Sequence, residues 1–143
     1  MGAQMILSGR DLQWYIRRGA LKIEPSTPEQ FQQNGFDSVI ENAELCGDKF
    51  YLAGTREVFE LPDDLMAFVG LRSTWARLGF SLPMTVVDAG FRGNLTLEIV
   101  NFGTQPVPLG QRFAHLVFAR LTGPSEPYRG KYDKQLGVTR AKI

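Results

Sequence analysis

Val87-Asp88-Ala89-Gly90-Phe91-Arg92-Gly93-Asn94-Leu95-Thr96-Leu97-Glu98 is the stretch on which the reading of this chain turns. An apolar run ends at Val87, an Asp and two glycines make a tight bend, and alternation of apolar and polar residues resumes at Leu95. That is the pattern of a hairpin between two strands. The glycines give the backbone freedom at the bend and leave its polar groups open to close approach by a ligand. Taken alone, the stretch is also explained by a plain β-turn.

The same punctuation extends in both directions. Short β-type runs cover 49–53, 57–61, 66–71, 84–87, 95–102 and 112–121, separated by turn signals such as Pro62-Asp63-Asp64 and Leu109-Gly110. Short strands at this spacing predict an all-β sandwich or barrel. A short helix is expected near the start. Ser8 with Asp11 three residues later resembles a capping box, Leu12, Tyr15 and Ile16 share a face, and Gly19 supplies a stop. A polar, Pro- and Gln-rich connection runs from Glu24 to Gly35, and 73–78 reads as a second, brief helix. From Thr122 the chain loses its apolar periodicity, which predicts either a frayed terminus or a flexible arm that folds over a ligand.

With 143 residues, the chain is about one domain long, read here as a single domain over 1–143 with 122–143 as its arm. Residues 1–4 read as a leader or an alternative start before Met5. Sixteen Lys and Arg against fifteen Asp and Glu argue against a general nucleic-acid or membrane-surface binder. A single cysteine, Cys46, excludes an internal disulfide framework and suits a reducing compartment. No apolar run approaches a membrane span. The expectation is a soluble, cytoplasmic protein.

Five short motifs then fall in one order. Val87-Asp88-x-Gly90-Phe91-Arg92-Gly93 resembles the third motif of dUTPases, I/V-D-x-x-Y/F-x-G. Leu71-Arg72-Ser73-Thr74-Trp75-Ala76-Arg77-Leu78-Gly79 is similar to R-S-S-x-A-R-x-G of dCTP deaminases and to R-S-G-x-A of dUTPases. Gly110-Gln111-Arg112-Phe113-Ala114-His115-Leu116-Val117-Phe118 resembles G-x-R-x-x-Q-L-x-F, with His115 in place of Gln. Asn34-Gly35-Phe36-Asp37 looks like the first motif, and Lys131-Tyr132-x-x-Gln135-x-Gly137 resembles the end of dCTP deaminases and their archaeal dUTPase relatives. On these motifs the chain resembles the dUTPase/dCTP deaminase superfamily, with likeness over nearly its whole length.

The resemblance implies a distorted jelly roll or β-barrel of the dUTPase type (a β-clip) with a short N-terminal helix and a flexible C-terminal arm. It implies a homotrimer with sites between subunits and a deoxyribonucleotide triphosphate substrate. Asp88 becomes the base that activates water, and Phe91 the ring beneath the deoxyribose. A helix starting at Ser73 points N–H groups at anionic oxygens, so Arg72, Ser73, Thr74 and Arg77 become phosphate ligands. Lys131, Tyr132 and Gln135 close from the arm, and Asp37 helps hold Mg2+ through water. Each has an ordinary rival: an Asn-Gly turn before a strand at 34–37, a capped surface helix at 73–78, a hydrogen-bonded structural imidazole at His115.

Two chemistries compete. One His and one Cys cannot build the metal site of a zinc deaminase. Zinc-independent deaminases use a Glu ten residues after the hairpin Asp, and Glu98 stands there; Ser73 and Arg77 also match deaminase positions. Against this, Phe80-Ser81-Leu82-Pro83-Met84-Thr85-Val86-Val87-Asp88 is about two residues shorter than the deaminase loop, contains Pro83 and lacks its His. Positioning errors of about 1 Å cost about 10²-fold, so the rebuilt loop weighs more than the retained carboxylate. The expectation is hydrolysis of dUTP to dUMP and pyrophosphate. dCTP deamination, alone or coupled to hydrolysis, is the alternative, and a catalytically silent binding module is the third reading.

Overall fold

Alternating burial along the strands builds the core of this protein. The computed structural model describes residues 5–143; the suggested leader, residues 1–4, lies outside the described residues. Helix α1 (Gly9–Arg17) is capped by the Ser8 side chain, which accepts from the Asp11 amide at 3.1 Å, and it buries Leu12. Gly19, at φ 75°, follows the helix and its N–H donates to the Ile16 carbonyl, so the predicted cap and stop are both present.

Nine strands follow: β1 (Lys22–Glu24), β2 (Phe31–Gln32), β3 (Gly35–Leu45), β4 (Phe50–Glu60), β5 (Leu65–Leu71), β6 (Phe80–Ser81), β7 (Thr85–Val87), β8 (Arg92–Asn101) and β9 (Arg112–Arg120). Helix α2 (Ser73–Arg77) lies between β5 and β6. The strands form one antiparallel sheet in the order β6-β8-β4-β3-β9-β5-β7, with β1 on β4 and β2 on β3. Bulges at 38/39 and 40/42 in β3 and between Gly54 and Val58 in β4 bend the long strands. The result is a curled half-barrel of the dUTPase-like, all-β type. Phe36, Phe59, Phe113, Phe118, Leu65 and Ile99 are fully buried inside it.

The β4 bulge holds a fully buried carboxylate. Glu57 accepts from Gln30 Nε2 at 2.7 Å, Ser38 Oγ at 2.6 Å and the Val39 amide at 3.1 Å, and has no ion pair among the described residues. Burial pushes its pKa up, opposed by these three donors. One outer row of the sheet is apolar: Val86 on β7 faces Phe68 on β5, which faces Val117 on β9. Phe68 and Val86 are exposed, as is nearby Met84.

Candidate functional site

Strand β7 delivers Val87 to the core and stops, so that Asp88 turns outward into solvent. The bend is fastened by the Phe91 amide donating to the Asp88 carbonyl and by the Gly90 amide donating to the Pro62 carbonyl. The Asp88 carboxylate itself takes no hydrogen bond from any described residue. It stands on a cavity of about 400 Å³ that Phe91, Leu95, Glu98, Tyr132 and Gln135 also line. Glu98, opposite Leu52 in the β4–β8 ladder, has its pKa pushed up by desolvation. Phe91 is buried, its ring centroid 5.8 Å from that of Tyr128.

The expected arm is docked in this structure. It runs beside β8, with a parallel bridge from Gln135 to Gly93. The two hairpin glycines are what let it approach. A Cβ on Gly90, whose φ is +82°, would come within 2.7 Å of Pro127 Cα, and one on Gly93, at φ +136°, would collide with the Gln135 backbone. Their bareness serves the arm, where the sequence suggested a ligand. Arg92 pairs with Asp133 at 2.8 Å. Of the arm residues expected on the triphosphate, Lys131 donates to the Lys142 carbonyl at 2.8 Å and Gln135 Nε2 to the Asn94 carbonyl at 2.7 Å. The Tyr132 hydroxyl accepts from the Lys142 amide.

The second half of the expected site is elsewhere. Ser73, Thr74 and Arg77 are exposed on α2, a helix anchored by Trp75 Nε1 donating to the Arg112 carbonyl at 2.8 Å. Arg72 and Ser73 border a shallow hollow with Asp37 and His115. Asp37 sits in a cluster of basic side chains. Asp37 is buried, and its Oδ2 meets Arg72 Nε at 3.0 Å and Arg112 Nη1 at 3.5 Å, while its Oδ1 meets His115 Nδ1 at 2.8 Å. Both oxygens carry contacts, and two guanidinium groups offset the charge. A set with more positive than negative charge is a poor match for a magnesium-water cluster. No group of three metal-ligating side chains occurs among the described residues. His115, bonded to Asp37, matches its rival reading as a hydrogen-bonded structural imidazole.

The two halves are separated within one chain. Val87 pairs with Ala67 near the start of β5, whereas Ser73 follows the end of that strand. At about 3.3 Å of rise per residue, Asp88 and Ser73 stand roughly 20 Å apart. The sequence reading overlooked Tyr128 and Thr96 as cavity-lining residues. Thr96 had a signal, since it shares the parity of Glu98 on β8.

The curled antiparallel sheet, with a carboxylate-bearing hairpin beside a cavity and a C-terminal arm docked along it, defines the class: a dUTPase-like fold. Residues 40–121 match the dCTP deaminase-like family, and the chain belongs to it, within the dUTPase/dCTP deaminase superfamily. A probable deoxyuridine 5'-triphosphate nucleotidohydrolase of Sulfolobus islandicus rod-shaped virus 1 is 46% identical over 157 residues, covering 96% of this chain and 99% of the relative. A dCTP deaminase of Sulfurisphaera tokodaii is 40% identical over 171 residues, covering 97% and 93%. Among solved structures, the dCTP deaminase of Agrobacterium tumefaciens superposes with a TM-score of 0.68 at 18% identity, over 81% of this chain and 48% of that one. The EIAV dUTPase superposes with a TM-score of 0.54 at 20% identity, over 78% and 96%. These two structures speak to the fold alone. No helix among the described residues is long and apolar enough to cross a membrane.

Proposed function

We propose that the protein is a dUTP diphosphatase that hydrolyses dUTP to dUMP and pyrophosphate. The observation that carries this reading is Asp88: an exposed carboxylate without a side-chain partner, at a cavity whose volume suits a small ligand. A carboxylate left free at such a place is available to take a proton. In the proposed step Asp88 accepts it from the water that attacks the α-phosphorus, and the bond from that phosphorus to the bridging oxygen breaks. The electron pair leaves with pyrophosphate. Phe91 lies under the sugar, and Tyr132 and Gln135 cover the nucleotide from the arm.

Phosphate binding falls to Ser73, Thr74 and Arg77, with Arg72 held in place by Asp37. Because this group stands far from Asp88 in one chain, the reading requires a neighbouring subunit to supply it. The apolar row of Val86, Phe68 and Val117 offers a surface on which copies can associate, and a homotrimer with sites between subunits is the assembly we infer. Magnesium enters only as the counter-ion of the triphosphate, brought in with the substrate. A cytoplasmic setting is consistent with the single, exposed Cys46.

Deamination of dCTP is the second reading, and Glu98 favours it, since a desolvated carboxyl in the same cavity is equipped to shuttle protons. Against it, the segment before Asp88 carries Pro83 and no His, and residues 85–87 are tied into the sheet. Alignment length leans the same way: 157 positions for the dUTPase relative and 171 for the deaminase mean that the 143-residue chain needs fewer gaps against the former. The protein should be incubated with dUTP and dCTP separately and the products separated by chromatography. Pyrophosphate and dUMP from dUTP alone are expected. Ammonia from dCTP would establish the second reading, and no product from either would leave a binding module.

A further inference from the structure

Asn94 belongs to no motif singled out in the sequence, yet it is where the arm and the sheet are joined. The bulge in β4 leaves Thr55, Arg56 and Glu57 without partners in the β4–β8 ladder, so their carbonyl groups need other donors. Asn94 Nδ2 supplies two, donating to the Thr55 and Glu57 carbonyls at 2.9 Å each. The Thr55 hydroxyl also donates to the Glu57 carbonyl, which stiffens the same bulge. With its NH2 fixed inward, the amide must present Oδ1 outward, and there it accepts from the Gly137 amide at 2.9 Å. The Asn94 main chain completes the junction: its N–H donates to the Gln135 carbonyl at 2.8 Å, and its carbonyl accepts from Gln135 Nε2. The residue is 8% exposed, so these bonds are shielded from competing water.

We propose that Asn94 is the positioning residue of the active site. It sets the register of the arm on β8, and thereby where Tyr132 and Gln135 stand over the Asp88 cavity. The orientation of its amide is dictated by the bulge. An Asp of the same shape would lose both inward donors and set a carboxylate against two carbonyl oxygens. The kinetic part of this inference rests on the nucleotide reading above; the docking part does not.

The test uses the full chain and two variants that cut the same bond from opposite sides. Asn94→Ala removes the acceptor, and an ester in place of the Leu136–Gly137 peptide bond, introduced by semisynthesis, removes the N–H donor on the arm while leaving Gly137 its φ of +62°. Limited trypsin digestion followed by mass spectrometry reads cleavage after Lys131 and Lys134, with cleavage after Arg112, in strand β9 between β3 and β5, as the internal measure of global opening. Both variants should speed arm cleavage about fivefold, the worth of one hydrogen bond, and the ester at Gly137 should leave cleavage after Arg112 unchanged. With dUTP, KM should rise by a similar factor while kcat changes little. Arm cleavage unchanged by the ester at Gly137, or accelerated in Asn94→Ala only in step with cleavage after Arg112, would overturn the proposal. A wild-type protein without turnover would remove the nucleotide reading while the digestion still decides the role of Asn94.

Discussion

Asp88 and Asp37 lie near opposite ends of β5, and their surroundings differ in every physical respect. Asp37 is buried, and Arg72, Arg112 and His115 contact its two oxygens. Asp88 is exposed and bonds to no side chain, though a cavity of about 400 Å³ opens beside it. A buried carboxylate surrounded by cations fixes its neighbours in place, whereas one without partners at a cavity is free for chemistry. On the proposed reading the two ends divide the labour: one orients α2 and its exposed hydroxyls, the other takes up a proton. Because roughly 20 Å of strand separates them, that proposed reading calls for a second chain.

The largest effect expected from breaking this contrast is at Asp88. Asp88→Asn should lower dUTP turnover about 10³-fold, the scale of a lost general base, while dUMP binding measured by calorimetry persists. Unchanged turnover would take Asp88 out of its role. Mixing Asp88→Asn with Ser73→Ala subunits by unfolding and refolding should restore part of the activity, because one intact site can form from the two sound halves. No recovery would argue for sites within single chains.

Next comes the assembly itself. Phe68→Glu sets a charge in the middle of the apolar row and should shift the protein to monomers by light scattering, with activity lost in parallel. A wild-type monomer would remove the interface altogether. Asp37→Asn should cost about 2 kcal/mol of stability, since it strands guanidinium groups that lose their charge partner; thermal unfolding measures it. A variant of native stability that needed more magnesium would instead return Asp37 to metal binding.

The smallest effect is a pH slope. Because burial raises the Glu57 pKa, the folded state holds more protons than the unfolded one above about pH 4.3. Stability therefore falls as pH rises through that window and levels off above the folded-state value. Glu57→Gln keeps the shape and most hydrogen bonds and should flatten the slope, leaving the share of Glu98, which has the same sign. A slope equal to wild type in denaturant titrations across pH would contradict this origin.

Much of the fold was legible because its signals are local. Ser8 and Gly19 bracket α1 as their chemistry demands, and the alternation in 92–101 marks β8. Strand β4 read as two runs, 49–53 and 57–61, because the bulge at 55–57 interrupts the period without ending the strand. The site was legible only in part. Asp88, Phe91, Glu98, Tyr132 and Gln135 do converge, but their cavity is shaped by tertiary packing. The Asp37 cluster joins residues from 37 to 115 through sheet pairing, which no short window reveals. The seat of the arm was hidden because its bonds come largely from backbone amides, which look alike in every sequence.

The two bare positions at 90 and 93 carry a consequence for engineering. They are an imprint of the strap that lies across them, so hairpin and strap form a matched pair. A tail transplanted from another member of the family will seat here only if its backbone crosses the hairpin at the same two spots. Exchanging the tail together with residues 88–94 preserves that match, whereas exchanging either piece by itself does not.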